Sequence, residues 1–134
     1  MTNPIPHFGK KAQMSIRDVI EKQMIKFRHF FKDWKMKFFV LVGFDTSISD
    51  DIFRIIYLRD IKIFPYIMRH ENCYTNYYKD FYTDVASWCN QNFMFKKYSF
   101  EEYLYVRYTT GHFYTDKPNM KRIRNSLYVW NSNQ

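Results

Sequence analysis

Side chains able to ligate a metal or attack a substrate are few in this chain, and one segment is denser in them than the rest. That segment is His70-Glu71-Asn72-Cys73, which offers an imidazole, a carboxylate and a thiol. It lacks the paired spacing of a zinc site, and the other histidines are scattered at His7, His29 and His112. Neither a Ser, His and Asp order nor a glycine-rich phosphate loop is legible. The sequence therefore predicts no metal and no catalytic group.

The two cysteines, Cys73 and Cys89, lie 16 residues apart without a CxxC motif. This usage predicts free, reduced thiols in a cytoplasmic protein, and a disulfide is the alternative. No run approaches the roughly 20 apolar residues of a membrane span, and residues 1–14 contain no apolar leader. We expect no contact with a membrane.

Basic residues are concentrated at the two ends of the chain, whose formal net charge is +8. Residues 1–37 contain nine lysines and arginines against three acids, and residues 103–134 contain five against one. Such ends attract nucleic acids or acidic partners through long-range fields, and the aromatic neighbours in Tyr105–Tyr108 would suit stacking on single-stranded bases. The candidate binding residues are Lys22, Lys26, Arg28, Lys32, Lys35, Arg107, Lys121, Arg122 and Arg124. The alternative is an ordinary solvated basic surface.

The first of these basic groups lies on a predicted helix that follows an irregular lead-in over residues 1–14. Ser15 can cap this helix, and apolar residues recur at helical spacing from Ile16 to Trp34. At the other end of the chain, residues 120–130 predict a last helix with Lys121, Arg122 and Arg124 exposed.

A strand–helix–strand unit is predicted in the middle of the chain. The uncharged run Phe38–Val42 predicts a strand that is buried on both faces and ends in a functional edge at Gly43. Residues 49–60 predict a helix capped by Ser49, and a parallel strand is expected to begin at Pro65. The crossover between the strands should be right-handed.

Two further helices are predicted before the C-terminal segment. Residues 77–91 predict one with Phe81, Val85, Trp88 and Cys89 inward. Ser99 and Glu102 have the spacing of a capping box that opens a short helix through residue 104. The alternating pattern over residues 105–115 predicts a small hairpin or an irregular arm.

From Phe38 to about Leu104 the chain resembles the C-terminal part of radical SAM proteins, particularly the short radical SAM-like proteins of phage and bacterial genomes. The matching pieces, in order, are FFVLVGFDT, SDDIFRIIYLRD, PYIMR, SWCNQ and FKKYSFEEY. The resemblance implies a partial β/α barrel, that is, a small parallel sheet flanked by helices. We expect a single domain, 1–134, in which residues 15–104 form this unit and residues 105–134 a mixed, basic C-terminal extension.

The resemblance also implies what is missing. Family members hold a 4Fe–4S cluster with a CxxxCxxC triplet, which this sequence lacks, and soft thiolate ligands are what such a cluster requires. The family's adenine-contacting pattern GxIxGxxE keeps only Leu41 and Gly43, since Phe39 and Thr46 replace its first glycine and its glutamate. Residues at the C-terminal ends of barrel strands face the active site. A vestigial cofactor pocket would therefore contain Leu41, Gly43, Asp45, Thr46, Arg69 and His70.

Three functions follow as expectations. The first is a truncated or degenerate radical SAM-like domain that binds a macromolecular partner. We expect it to hold no cofactor, and residual binding of S-adenosylmethionine is the alternative. An open sheet edge and 29 aromatic residues favour binding of a protein partner or of a second copy of the chain. The alternative is that the aromatic residues fill the core of a small domain. The second is a small basic phage-type protein that binds RNA or a ribonucleoprotein and inhibits a host nuclease or defence system. The third is the C-terminal half of a split radical SAM enzyme. Each would act in the cytoplasm of a bacterial or phage-infected cell.

Overall fold

The computed structural model of this protein describes residue 18, residues 22–23, residue 26, and residues 32–109 and 119–134. The elements whose bounds it gives are β1 (Lys37–Val42), α1 (Ile48–Asp60), β2 (Phe64–Arg69), a 3₁₀ turn (Glu71–Tyr74), α2 (Lys79–Cys89), α3 (Asn92–Lys97), α4 (Phe100–Thr109) and α5 (Met120–Ser132). The fold is mixed α/β and mostly helical, with one small parallel sheet.

The predicted first helix is described at only four positions, all with helical backbone: Asp18, Lys22, Gln23 and Lys26. The lead-in, Ser15 and Arg28 lie outside the described residues. The prediction that helical spacing continues to Trp34 is wrong at that end. Trp34 lies in a turn and has a left-handed backbone with φ of 61°.

The sheet pairs β1 and β2 in parallel, with Phe39 beside Tyr66 and Leu41 beside Met68. The predicted strand–helix–strand order is confirmed, and β2 begins one residue before Pro65. The prediction that β1 is buried on both faces is wrong. Its residues alternate between buried and exposed, and Phe39 is 71% exposed. Among the residues that the structure describes, elements therefore cover only one face of β1.

Helix α1 is capped by Ser47, two residues before the serine that the sequence indicated. The Ser47 hydroxyl accepts a hydrogen bond from the Asp50 N–H (3.1 Å), and the Asp50 carboxylate accepts one from the Ser47 N–H (3.4 Å). This is a capping box, in which two otherwise unpaired donors at the helix start are satisfied. Asp51 lies in the first turn, as the predicted cap also implied, and its side chain is buried.

The outer edge of β2 is closed by two side-chain features. The N–H groups of Phe64 and His70 donate to the C=O groups of Met36 and Val42 (3.0 and 3.1 Å). Because backbone groups alternate in direction along a strand, those of Pro65 and Ile67 point away from β1. Pro65 has no N–H to leave unpaired. The Asn90 carboxamide accepts from the Ile67 N–H (2.6 Å) and donates to the Ile67 C=O (3.2 Å), as a neighbouring strand would.

The part of the core that lies among the four C-terminal helices is rich in aromatic rings. The Trp88 ring of α2 packs against Phe95, Phe100 and Trp130, with centroids 4.7, 5.5 and 5.7 Å away. Its indole N–H donates to the Tyr98 C=O (3.0 Å), so the buried polar atom is satisfied. The predicted inward residues of α2 are all buried.

The C-terminal segment joins this same core. The predicted capping box of Ser99 and Glu102 is confirmed by both hydrogen bonds (2.9 and 3.1 Å). Helix α4 continues through Thr109, so the hairpin or irregular arm is wrong for residues 105–109; its remaining positions lie outside the described residues. In α5, Ile123 and Trp130 are buried against the other helices. No helix in the described part of the chain is long and apolar enough to cross a membrane.

Replacing Asn90 with alanine should unfold the chain more easily, because the edge groups of Ile67 would lose their partner. We expect Asn90→Ala to lower the free energy of unfolding by roughly 1–3 kcal/mol, measured by urea denaturation. Asn92→Ala, at a nearby exposed position in α3, is the matched control and should change it by less than about 0.5 kcal/mol. Equal effects of the two substitutions would contradict the role given to the Asn90 carboxamide.

Candidate functional site

The carboxyl end of β1, where a β/α enzyme places its reactive groups, is organised around the buried Asp51 carboxylate. One oxygen, Oδ1, accepts from the Thr46 hydroxyl (2.7 Å) and from the Arg54 guanidinium (2.6 Å). The other, Oδ2, accepts from the Gly43 N–H (3.2 Å) and from the Tyr82 hydroxyl (3.0 Å). Four donors from the strand end, α1 and α2 therefore converge on one carboxylate that is 1% exposed.

Gly43 is held in this arrangement by its backbone and by Cys73. Its φ is +77°, and a Cβ placed on it would lie 2.1 Å from the Cys73 sulfur. The Cys73 thiol points to the Val42 C=O (3.4 Å). Only glycine fits such a position, because an added methyl would clash and would also strain the backbone.

The acid–base properties of these groups suit a structural role. Burial raises the pKa of the Cys73 thiol, and the nearby Asp51 carboxylate raises it further. Burial likewise raises the pKa of the Tyr82 hydroxyl well above its ordinary value, with Asp51 adding to the effect. Since the thiolate is the nucleophilic form of cysteine, Cys73 is held as an unreactive thiol at neutral pH.

The six residues of the predicted cofactor pocket are placed as follows. Gly43 and Thr46 are bound to Asp51, and the Leu41 C=O accepts from Arg54 (2.8 Å). Asp45 is exposed with a left-handed φ of 51°. Arg69, the last residue of β2, and His70, which follows it, make other contacts. Three of the six positions therefore serve the Asp51 network.

Arg69 and His70 are occupied by local contacts. The Arg69 guanidinium donates to the Thr83 hydroxyl (3.0 Å) and lies 4.6 Å from the Tyr74 ring centroid. The His70 Nδ1 accepts from the Asn72 N–H (3.2 Å) and so caps the 3₁₀ turn. Among the residues that the structure describes, no group of three or more His, Cys, Asp and Glu side chains lies together as a metal site would require.

A second buried carboxylate, Asp84, joins α2 to the last two helices. Its Oδ1 accepts from the Tyr108 hydroxyl (2.5 Å), and its Oδ2 accepts from the Arg122 Nε (3.0 Å) and the Ser126 hydroxyl (2.5 Å). The Arg107 Nε lies 3.5 Å from Oδ1. Burial and the Asp84 hydrogen bond together raise the pKa of Tyr108 to about 12.

Two of the predicted binding residues thus belong to this network. The prediction that Arg122 is exposed is wrong, since its side chain is 21% exposed and also pairs with Asp80 (3.1 Å). Arg107 extends the network to Ser87 and the Tyr103 hydroxyl. A buried, unpaired carboxylate would be costly, and these two guanidiniums compensate the Asp84 charge.

A basic surface forms at the opposite end of the sheet, where the strands begin. Three segments meet there around Trp34. The Trp34 N–H donates to the Lys62 C=O (2.8 Å), and its ring packs on Phe64 and Phe95, with centroids 4.9 and 6.2 Å away. The Lys96 ammonium lies 5.9 Å from the centroid of the same ring.

We call the exposed lysines of these three segments the lysine surface: Lys32, Lys35, Lys37, Lys62, Lys96 and Lys97. The nearby carboxylates are Asp33, which pairs with Lys62 (3.2 Å), and the exposed Asp60. Phe93, on the same helix as Lys97, is 65% exposed, and the Lys97 ammonium lies 5.2 Å from its ring centroid. Positive charge and an accessible aromatic ring therefore occur side by side.

Sequence reasoning found only part of this surface. Lys32 and Lys35 were predicted as binding residues, and both are exposed here. Lys62, Lys96 and Lys97 were not, because their segments lie about 30 residues apart and no periodicity links them, and Lys37, beside Lys35, was also left out. The adjacent pair Lys96-Lys97 between aromatic residues was the available local signal.

The remaining predicted basic residues lie on other surfaces or outside the described residues. Lys22 and Lys26 are exposed on helical backbone, and Lys121 and Arg124 are exposed on α5.

Comparisons with protein-family models, curated proteins and solved structures found no match for this chain.

Asp51→Asn should destabilise the fold, because an amide cannot accept from four donors and leaves the Arg54 charge uncompensated. We expect the free energy of unfolding to fall by about 3 kcal/mol in urea titrations. Asp45→Asn is the control: it removes an exposed carboxylate from the same loop, and asparagine tolerates the left-handed φ. The centre assigned to Asp51 is wrong if both variants are as stable as the parent chain.

Gly43→Ala should be rescued in part by Cys73→Ala, because the second change removes the sulfur that the new methyl meets. The single Gly43→Ala change is expected to cost about 3 kcal/mol, and a double-mutant cycle should give a favourable coupling of at least about 1 kcal/mol. Thermal and urea denaturation of the four chains measure it. Additive effects would show that the sulfur does not limit this position.

Proposed function

We propose that this chain is a non-catalytic domain that acts by binding a macromolecular partner, and that the partner is single-stranded RNA. The observation that carries the proposal is the lysine surface around Trp34, with the exposed Phe93 ring beside it. Cationic side chains that follow a phosphate backbone, together with aromatic rings on which bases stack, are the elements of single-strand recognition.

Arginines and lysines differ in their contacts and exposure, and this difference supports the proposal. The arginines bonded within the fold are Arg54, Arg59, Arg69, Arg107 and Arg122. The lysines are exposed instead, and they carry the charge that a ligand can reach. Lysine binds phosphate as a point charge, whereas arginine forms directional paired bonds. Binding should therefore depend strongly on salt and weakly on base sequence.

The strand ends support the non-catalytic part of the proposal. The groups that would reach a bound cofactor there, the Gly43 N–H and the Thr46 hydroxyl, are donors to Asp51. We include in the proposal the finer fold assignment, a partial β/α barrel related to radical SAM proteins. Inhibition of a host nuclease or defence complex stays a prediction, as does the split-enzyme alternative.

The test is fluorescence anisotropy with a labelled 20-nucleotide poly(U) RNA over a range of salt concentrations. For single strands the logarithm of affinity falls with the logarithm of salt with a slope near −0.7 for each phosphate neutralised. The triple variant Lys35→Gln, Lys96→Gln, Lys97→Gln should bind at least about tenfold more weakly at 100 mM salt, with a slope about 2 smaller in magnitude. Phe93→Ala should weaken binding without changing the slope, because it removes stacking only.

A matched control removes three exposed charges elsewhere: Lys79→Gln, Lys121→Gln, Arg124→Gln. This variant has the same net charge as the first, and we expect less than about a threefold loss of affinity. Equal losses in both triple variants would show that net charge alone attracts RNA and would overturn the assigned surface. No binding by the parent chain even at about 20 mM salt would overturn the proposed function.

A further inference from the structure

A groove of about 460 Å³ lies between the segment that leads into α2 and the middle of α5. We call it the tyrosine groove, because three of the residues that line it are Tyr77, Tyr78 and Tyr128. The other lining residues are Asp80, Phe81, Asn125, Ser126 and Val129. Its volume is that of a small-molecule site, which in proteins is typically about 300–1,000 Å³.

The tyrosines of this groove are accessible, and two of them form a corner. Tyr77 is 91% exposed, Tyr128 74% and Tyr78 38%. The rings of Tyr77 and Tyr78 are nearly perpendicular, with centroids 5.1 Å apart and an interplanar angle of 89°, and Tyr128 adds a third ring from α5. In the part of the chain that the structure describes, the hydroxyl groups of these three tyrosines have no hydrogen-bond partner, so a ligand can reach them.

A carboxylate lines the same groove. The Asp80 Oδ1 lies 3.1 Å from the Arg122 Nη1, and the Asp80 side chain is 59% exposed. Among the residues that the structure describes, the Asp80 Oδ2 has no hydrogen-bond partner. Arg122 also donates to Asp84 through Nε (3.0 Å) and Nη2 (3.2 Å), so its charge is shared with a second carboxylate. The Asp80 carboxylate is therefore only partly compensated and can attract a cation.

We propose that the tyrosine groove binds a small soluble compound that carries a trimethylammonium group, such as choline. Aromatic rings attract a quaternary ammonium ion through their negative faces, and a neighbouring carboxylate adds to the attraction. The methyl groups of such an ion also bury apolar surface against the rings, whereas a lysine ammonium is strongly hydrated. The groove shares no residue with the lysine surface, and the proposal does not rest on RNA binding.

The basic residues on the same two helices favour a ligand with a single positive charge. Lys79 directly precedes Asp80, and Lys121 and Arg124 lie on α5; all three are exposed. A peptide rich in lysine or arginine would bring several positive charges close to these residues and would be repelled. A compound with one charge keeps the contacts with the rings and with Asp80 and minimises this repulsion. A small ligand is therefore favoured over a basic peptide.

The first test is a titration of isotopically labelled protein with choline, followed by NMR chemical shifts. We expect saturable shifts at the residues of the tyrosine groove, with a dissociation constant of about 0.1–3 mM, because three partly exposed rings form a weak site. The comparison compound is the neutral carbon analogue of choline, in which a tert-butyl group replaces trimethylammonium and preserves its shape. This analogue should bind at least about fivefold more weakly, because it lacks the charge.

Substitutions in the groove test which groups bind the ligand. Tyr77→Ala and Tyr128→Ala should each weaken choline binding at least about threefold, whereas Tyr77→Phe and Tyr128→Phe should retain it, because they keep the ring. Asp80→Asn should weaken binding about two- to fivefold, because it removes the negative charge. Tyr105→Ala is the matched control: Tyr105 is also exposed but lies on α4, outside the groove, so binding should be unchanged. Circular dichroism verifies that each variant is folded.

The outcomes separate the alternatives. The absence of saturable shifts, or equal affinity for choline and its neutral analogue, would overturn the proposal. Equal losses in Tyr77→Ala and Tyr105→Ala would overturn the assigned groove. Tighter binding of a peptide that contains trimethyllysine would indicate a peptide site and overturn the assignment of a small ligand. The triple variant Lys35→Gln, Lys96→Gln, Lys97→Gln should bind choline as the parent chain does, so this proposal and the RNA proposal can fail separately.

Discussion

A parallel pair of six-residue strands has two edges and two faces, and the rest of this fold compensates for most of that unpaired surface. Two strands alone are not stable in water, so the helices must cover one face and supply polar partners at the edges and ends. Asn90 and Pro65 close one edge, and Asp51 gathers the donors at the carboxyl end of β1. What stays uncovered in the described residues is one aromatic face and most of one edge.

Two buried carboxylates join elements of the fold in the same manner: Asp51 joins the end of β1 to α1 and α2, and Asp84 joins α2 to α4 and α5. Asp51 and Asp84 are 1% and 0% exposed, and each accepts from hydroxyls and from at least one guanidinium. Burying a carboxylate is costly unless it is paired and fully hydrogen-bonded, so each of them fixes the relative position of the elements that supply its donors. Arg54, Arg107 and Arg122 are consequently bound to these carboxylates, and this leaves mainly lysines for a ligand to contact.

The elements that depend on local patterns were predictable. The buried face of α2, the capping box of α4 and the strand–helix–strand order all follow from spacing within a few residues. The predicted cap of α1 was wrong by two residues, since Ser47 and Ser49 both precede acidic residues at plausible spacing. Burial of β1 was predicted on both faces, because an uncharged run does not show that the described part of the sheet has two strands with helices on one face.

Sequence spacing could not predict which basic residues form the candidate site, because this depends on contacts between residues far apart in the chain. Arg122 and Arg124 look alike in the sequence, yet Arg122 is bound to Asp84, 38 residues away, while Arg124 is exposed. The lysine surface likewise needs the turn before β1, the turn before β2 and α3 to meet at Trp34. Whether a basic residue can contact a ligand therefore depends on whether a buried carboxylate already binds it. In this chain the buried acids recruit arginine, so the cations left at the surface are mainly lysines, which favour strong electrostatic attraction over selective recognition.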